Sequence, residues 1–262
     1  MLNFSKYHGT GNDFILADAR KIIQFLTKQQ IAFLCDRRLG IGADGLILLL
    51  HSDSYDFEMQ YYNSDGEEST MCGNGGRCIS SFAYDIGINQ REFVFKAVDG
   101  LHKSKTLKIE DQKKIIELEM SNVTTIEIKE HYFNIDSGSP HHVRFVKNAH
   151  EIAVAEEGKR IRNSKAFLEE GINVNFVEEK SDNLFVRTYE RGVEDETLSC
   201  GTGVVAAAIA SSIRQNLSIS QFEIETLGGK LKVDFDIISN NQFKNIKLTG
   251  PATFVFSGLI GI

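Results

Sequence analysis

Apolar residues in the first part of the chain gather in short runs that alternate with polar residues or break at glycine. FSKYHGTGNDFILAD, GLILLL, DFEMQYYNSDG and REFVFKAVDGLHKSKTLKIE follow the period of strands, with one helix near residues 27–38 and another entered at CGNGG. The later part repeats this order. FNIDSGSPHHVRFV stands where HGTGNDFIL stood, INVNFVEE where GLILLL stood, and NLFVRTYERG where DFEMQYYNSDG stood. A helix entered at CGTG pairs with the one at CGNGG, and QFEIETLGGKLKVDFD pairs with EFVFKAVDGLHKSKTLKI. Matching elements in one order point to an internal duplication.

The two Gly-entered helices predict the architecture. GVVAAAIA, starting at Gly203, is apolar all round and mostly small, the pattern of a helix enclosed by strands. After Cys72, the residues Ile79, Phe82, Ala83 and Ile86 share one side. The expected class is therefore α/β (α+β): two pseudo-symmetric halves, each a curved, mostly antiparallel sheet or barrel around a central helix. The expected boundaries are 1–120 and 121–249, with 250–262 returning as a strand to the first half and an active site in the cleft between the halves. Two prolines and no Ser-rich or Pro-rich stretch leave no flexible linker visible.

Composition narrows the function classes. The 262 residues are 42% hydrophobic and 25% charged, enough to bury a sizeable core. With a formal net charge of −7 and no basic run interleaved with aromatics, the chain is not expected to bind nucleic acid. Its apolar runs are too short for a bilayer and its N-terminal stretch lacks a signal pattern, so the expectation is a soluble, cytoplasmic protein without a membrane partner.

Four cysteines are too few for a disulfide scaffold. Cys35 shares a helical face with Ile31 and Leu34 and reads as core packing. Cys78 lies six residues after Cys72, roughly 240° round a helix, and no further ligands at suitable spacing suggest a metal, so it reads as structural. Cys72 in TMCGNGGRC and Cys200 in LSCGTG sit at equivalent helix entrances, a placement that packing alone does not require.

A thiol at a helix N-terminus meets the macrodipole and the unpaired amides of the first turn, both of which favour thiolate. The glycines admit a ligand close to the backbone, where exposed amides suit a carboxylate. Two such thiols on one carbon fit proton removal from one face and delivery to the other, which inverts a carbon next to a carboxylate. No cofactor is required, and GxxxxGK[ST] is missing from the chain.

These stretches also carry a family resemblance. KYHGTGNDF, RRLGIGADGL, YYNSDGEESTMCGNGGRC, INVNFV, YERGVEDETLSCGTG, GGKL and GPA, in this order over essentially the whole length, resemble the diaminopimelate epimerases. The resemblance implies the family's fold and a cofactor-independent interconversion of LL-2,6-diaminopimelate and its meso form, in lysine and peptidoglycan precursor synthesis. It implies Cys72 and Cys200 as the two bases and, often, a homodimer. It places Asn12, Asn63, Asn173, Glu190 and Arg191 on the substrate, with backbone amides of Gly73, Asn74, Gly201 and Thr202 around the reacting carboxylate. His141 and Glu196 match residues that orient or tune a thiol.

The chain departs from the family's pattern twice. GSPH replaces GNPH, so Ser139 stands where the family has a substrate-binding asparagine and offers a single hydroxyl. YERGVEDETLSC carries one residue more than the family's spacing before the cysteine, which leaves the placement of Glu196 open. Other readings of the same thiols are a related racemase of the proline type, with a monocarboxylate substrate, and a redox-sensing or binding protein in which the pair forms a reversible disulfide.

Overall fold

The structure, a computed structural model, describes residues 1–21, 26–88 and 90–261. The chain divides into two compact units, Met1–Leu118 with Gly250–Ile262, and Glu119–Thr249.

In the first unit the strands are β1 (Leu2–Gly9), β2 (Asn12–Asp18), β3 (Gly45–Leu50), β4 (Phe57–Asn63), the short β5 (Glu68–Ser69), β6 (Glu92–Ala97), β7 (Gly100–Glu110) and β8 (Lys113–Glu119). Helix α1 (Lys28–Cys35) lies between β2 and β3, and α2 (Gly73–Asp85) between β5 and β6. Neighbouring strands run antiparallel except at β2–β3 and β4–β6, which are parallel. A parallel step needs a crossover, and α1 and α2 supply the two crossovers.

The second unit repeats the plan. After β9 (Thr125–Ile128), strands β10 (Phe133–Asp136) and β11 (Pro140–Phe145) form the hairpin, helix α3 (Val154–Arg162) follows, and β12 (Asn173–Glu179), β13 (Leu184–Glu190) and β14 (Asp195–Thr197) lead to helix α4 (Gly201–Arg214). Strands β15 (Gln221–Thr226), β16 (Gly229–Ser239) and β17 (Gln242–Ile260) complete the order, again with parallel steps at the two crossovers, β11–β12 and β13–β15.

Both sheets close on themselves. In the first unit the later part of β17 pairs with β1 on one side and β8 on the other, giving an eight-stranded barrel with no open edge. In the second, β9 pairs with β10, and a Val123–Phe243 bridge joins the stretch before β9 to the opening part of β17. Helices α2 and α4 fill the barrels: Gly73 to Ala83 and most of Gly201 to Ser212 are buried.

GLILLL is unbroken because β3 is covered twice. Leu46 and Leu48 pack with α1 residues Ile31, Leu34 and Cys35 on one face, while Leu49 and Ile47 turn inward, where Gly75 of α2 comes close to Ile47. Cys35 is 3% exposed, and burial pushes its thiol up to about 12.

Helix α1 is shorter than the span read from the pattern. Thr27 and Gln30 form a capping box at its start. At its end the Asp36 carboxylate accepts from the amides of Arg38 and Leu39, both at 2.7 Å, and this local bond diverts the chain from the helix. Helix α3, the counterpart of α1, has no place among the elements read from the pattern above.

Candidate functional site

Cys72 is the N-cap of α2. Its backbone is extended (φ −98°, ψ 149°) and its half-buried Sγ accepts the Gly75 amide at 3.2 Å. The same sulfur stands 3.9 Å from Asn12 Oδ1. Gly73, with its carbonyl, and Asn74 form the first turn of the helix and are buried.

Asn12 is held in one orientation. Its Nδ2 donates to Asp44 Oδ2 at 2.7 Å, so its oxygen is left to face the sulfur and to accept from Asn74 Nδ2 at 3.2 Å. Asp44 is fixed by Arg37, which also donates to both oxygens of Asp13, and Lys6 pairs with Asp13 at 2.7 Å. Burial works to raise the Asp13 carboxyl, but the Arg37 and Lys6 hydrogen bonds prevail and hold it down at about 2.

A residue that sequence reasoning missed lies behind this entrance. Arg77, fully buried, curls back along α2: Nη1 donates to Gly73 O at 3.0 Å, Nη2 to Asn74 Oδ1 at 2.8 Å and to Thr10 Oγ1 at 3.4 Å, and Nε to Pro251 O at 3.3 Å.

Cys200 occupies the equivalent position at α4 and is 7% exposed. Thr202 Oγ1 is 3.5 Å from its sulfur and 2.8 Å from His141 Nε2. His141 is wholly buried on β11, and burial, helped by the Arg191 charge, pushes its imidazole down to about 3. Its Nδ1 accepts from Asn175 Nδ2 at 3.0 Å, and Asn175 Oδ1 in turn accepts from Thr188 at 2.9 Å. Gly203 is glycine because nothing larger fits: a Cβ there would stand 2.5 Å from Asn175 Oδ1.

The other predicted residues are placed as follows. Asn63 ends β4 at an exposed turn closed by Asn63 N–H to Glu67 O at 2.9 Å. Asn173 opens β12 with both ends of its amide engaged: Nδ2 donates to Ser139 Oγ at 2.9 Å and Pro140 O at 3.2 Å, and Oδ1 accepts the Arg191 amide at 2.9 Å. Glu190 Oε2 accepts from Thr197 at 3.0 Å, and the exposed Arg191 donates to Glu170 O at 2.8 Å.

Glu196 is taken up by Arg187 in a two-pronged pair at 2.6 and 2.7 Å, while Arg187 also donates to the carbonyls of Ala149 and Ile152. Its carboxylate thus secures the turn before α3. The loop after Glu190 reverses through Gly192 (φ 91°) and Glu194 (φ 58°), whose left-handed backbone is offset by side-chain bonds to Tyr189, Arg162 and the Gly192 amide.

Among the described residues no cluster of ligating side chains suits a metal ion, and no helix is long and apolar enough to cross a membrane.

Comparison with known proteins bears on both barrels. The sequence profile of the family described as "Diaminopimelate epimerase" matches twice, over residues 4–126 and 133–255. The diaminopimelate epimerase of Flavobacterium psychrophilum is 49% identical over 97% of this chain and 98% of that protein. That of Chlorobaculum tepidum is 41% identical over 96% and 98%.

Among solved structures, a phenazine biosynthesis protein of the PhzF family from Bacillus anthracis superposes with a TM-score of 0.75 at 15% identity, over 99% of both chains. A probable proline racemase from Agrobacterium radiobacter superposes at 0.68 and 13% identity, over 100% of this chain and 93% of that one. At such identities the two share the fold alone. The close relatives and the doubled profile match decide the family: this chain belongs to the diaminopimelate epimerases.

Proposed function

We propose that the chain interconverts LL-2,6-diaminopimelate and its meso form, with Cys72 and Cys200 as the two acid–base groups. The reading is carried by one observation: each thiol is the N-cap of a buried helix, with a hydrogen-bonding group of that helix's first turn at the sulfur, the Gly75 amide for Cys72 and Thr202 Oγ1 for Cys200. Such groups support a thiolate as it forms.

One thiolate takes the α-proton and becomes S–H, while the C–H electron pair passes to the α-carbon and its carboxylate. The other thiol gives its proton to the opposite face, a new C–H bond closes, and the two sulfurs end with their protonation exchanged. Amides of Gly73, Asn74, Gly201 and Thr202 stabilise the carboxylate as charge builds on it. Asn12 and Asn63 bind substrate polar groups. Glu190 and Arg191 take the distal amino and carboxylate groups, the guanidinium fork suiting the latter. Asn173, whose amide is engaged with Ser139, Pro140 and the Arg191 backbone, keeps Arg191 in place for that contact. In this reading the enzyme serves lysine and peptidoglycan precursor synthesis in the cytoplasm as a homodimer.

The test is proton NMR of the reduced protein with LL-diaminopimelate in D2O. Loss of the α-proton signal together with meso product is the expected result. Folded, reduced protein that gives neither would overturn the reading and return the chain to a monocarboxylate racemase or a thiol switch.

A further inference from the structure

Arg77, behind the Cys72 entrance, is a group that the proposed reaction does not use. It is wholly buried, so it cannot touch a substrate, and all of its described hydrogen bonds go to neutral acceptors: two backbone carbonyls, an amide oxygen and a hydroxyl. A guanidinium taken out of water without an anion is costly unless something nearby carries compensating negative charge.

The surrounding groups narrow what that charge is. Asp13 faces Lys6 and Arg37, Asp44 faces Arg37 and Asn12, and Asp99, which accepts the Met71 amide at 3.2 Å, faces His102 at 3.3 Å. Each of these carboxylates has its own donors. On α2 itself the Asp85 carboxylate is taken by Lys114 and Tyr7, each at 2.7 Å, which leaves Cys78 and Cys72 as candidates. Cys78 is completely buried, and burial pushes its thiol far above the ordinary range, so it stays protonated. Burial lowers the Arg77 guanidinium to about 10, which leaves it charged at neutral pH.

The hydrogen bonds also run in one direction. Arg77 donates to Asn74 Oδ1, Asn74 donates to Asn12 Oδ1, and Asn12 donates to Asp44. A chain polarised from a cation to a carboxylate passes directly beside the Cys72 sulfur.

We propose that Arg77 is a positioning residue whose buried guanidinium is the fixed counter-charge for the thiolate of Cys72, and that it orients Asn74 and, through it, Asn12 around that sulfur. The inference rests on the reading of Cys72 as an acid–base group. In the thiol form, the S–H faces Asn12 Oδ1. When the proton leaves, the Gly75 amide and the Arg77 charge hold the anion. Behind the equivalent thiol, Cys200, stand Thr202 and the neutral His141, a different set of neighbours from Gly75, Asn12 and Arg77.

The test follows iodoacetamide alkylation of Cys72 against pH by peptide mass spectrometry in the full-length reduced chain, with Cys200 as internal reference. In Arg77→Gln the Cys72 midpoint rises by about one pH unit or more, roughly tenfold slower alkylation at neutral pH, while the Cys200 midpoint stays. Arg77→Lys restores most of the difference. Thr10→Asp leaves Arg77 in place and pairs it with a carboxylate, at a left-handed position (φ 49°) that aspartate tolerates, so the test does not depend on an emptied guanidinium site. It too raises the Cys72 midpoint. A folded Arg77→Gln or Thr10→Asp protein with an unmoved Cys72 midpoint, or with both cysteines shifted alike, overturns the proposal. Failure of turnover with a responsive Cys72 overturns the epimerase reading alone, and turnover with an unresponsive Cys72 overturns only the role of Arg77.

Discussion

His141 Nε2 lies 2.8 Å from Thr202 Oγ1, and the direction of that bond is fixed from the far side of the ring. An amide NH2 can only donate, so Asn175 Nδ2 makes Nδ1 the acceptor and leaves the ring proton on Nε2. Thr202 therefore accepts from His141 and turns its own hydrogen toward Cys200.

Thr202→Val deletes the last link of this relay with little change in volume. The expected outcome is about a tenfold fall in kcat/KM, with the alkaline-rising limb of the pH profile displaced to higher pH because the Cys200 thiolate loses a donor. A profile of unchanged shape would count against the relay.

Burial holds His141 at about 3 and His142 at about 4, against 6.5 for an exposed imidazole. Between those values the unfolded chain binds protons that the folded chain refuses, so stability rises with pH across this window and is lost as acid is added. Urea midpoints from pH 7 to 4.5 should fall steadily, and His142→Gln should flatten part of the slope. The Asp13 carboxyl, held at about 2 against 3.8, contributes stability above 3.8 that is lost only as pH falls toward 2, below this window.

Asp44→Ala releases the Asn12 amide, which can then rotate its oxygen away from Cys72. KM for diaminopimelate should rise about tenfold, roughly 1.4 kcal/mol, with a smaller change in kcat. Steady-state kinetics on the folded variant measures it.

Gly158 on α3 is pressed against β13: a Cβ there would come within 2.3 Å of Tyr189 Cβ. Although alanine is the better helix former, Gly158→Ala should destabilise the protein by about 1–3 kcal/mol, because backbone and a buried ring must move. Thermal unfolding of the variant gives the sign directly.

The repeated order of strands and helices was legible because each barrel needs the same alternation of strand runs and two crossovers, and the enclosed helix writes its environment as GVVAAAIA. The placement of Cys72 and Cys200 at helix entrances was legible from the glycines that follow them. Arg77 was not, since a single arginine after CGNGG looks like a surface charge, and what buries it includes the Pro251 carbonyl, far along the chain. Strand β7 also misleads by pattern. Its His102, Ser104 and Thr106 face inward while Leu101 is 54% exposed, because α2 offers Ser80 to Ser104 at 2.7 Å. Helix α3 could have been found from Val154, Gly158 and Ile161, which share its buried face, but EEGKR dilutes the apolar signal. Asn175 follows Asn173 by two residues on β12, the one sequence hint of a second buried amide.

Strand β17 completes the first barrel with residues that follow the whole of the second unit in the chain. During synthesis, therefore, the N-terminal unit is the first to be made and the last to be closed. Until residues from Gly250 onward leave the ribosome, β1 and β8 present open edges and the face of α2 that receives Pro251 lacks its partner. The second unit, by contrast, has every strand it needs once Thr249 has emerged, so the order of translation and the order of completion are reversed.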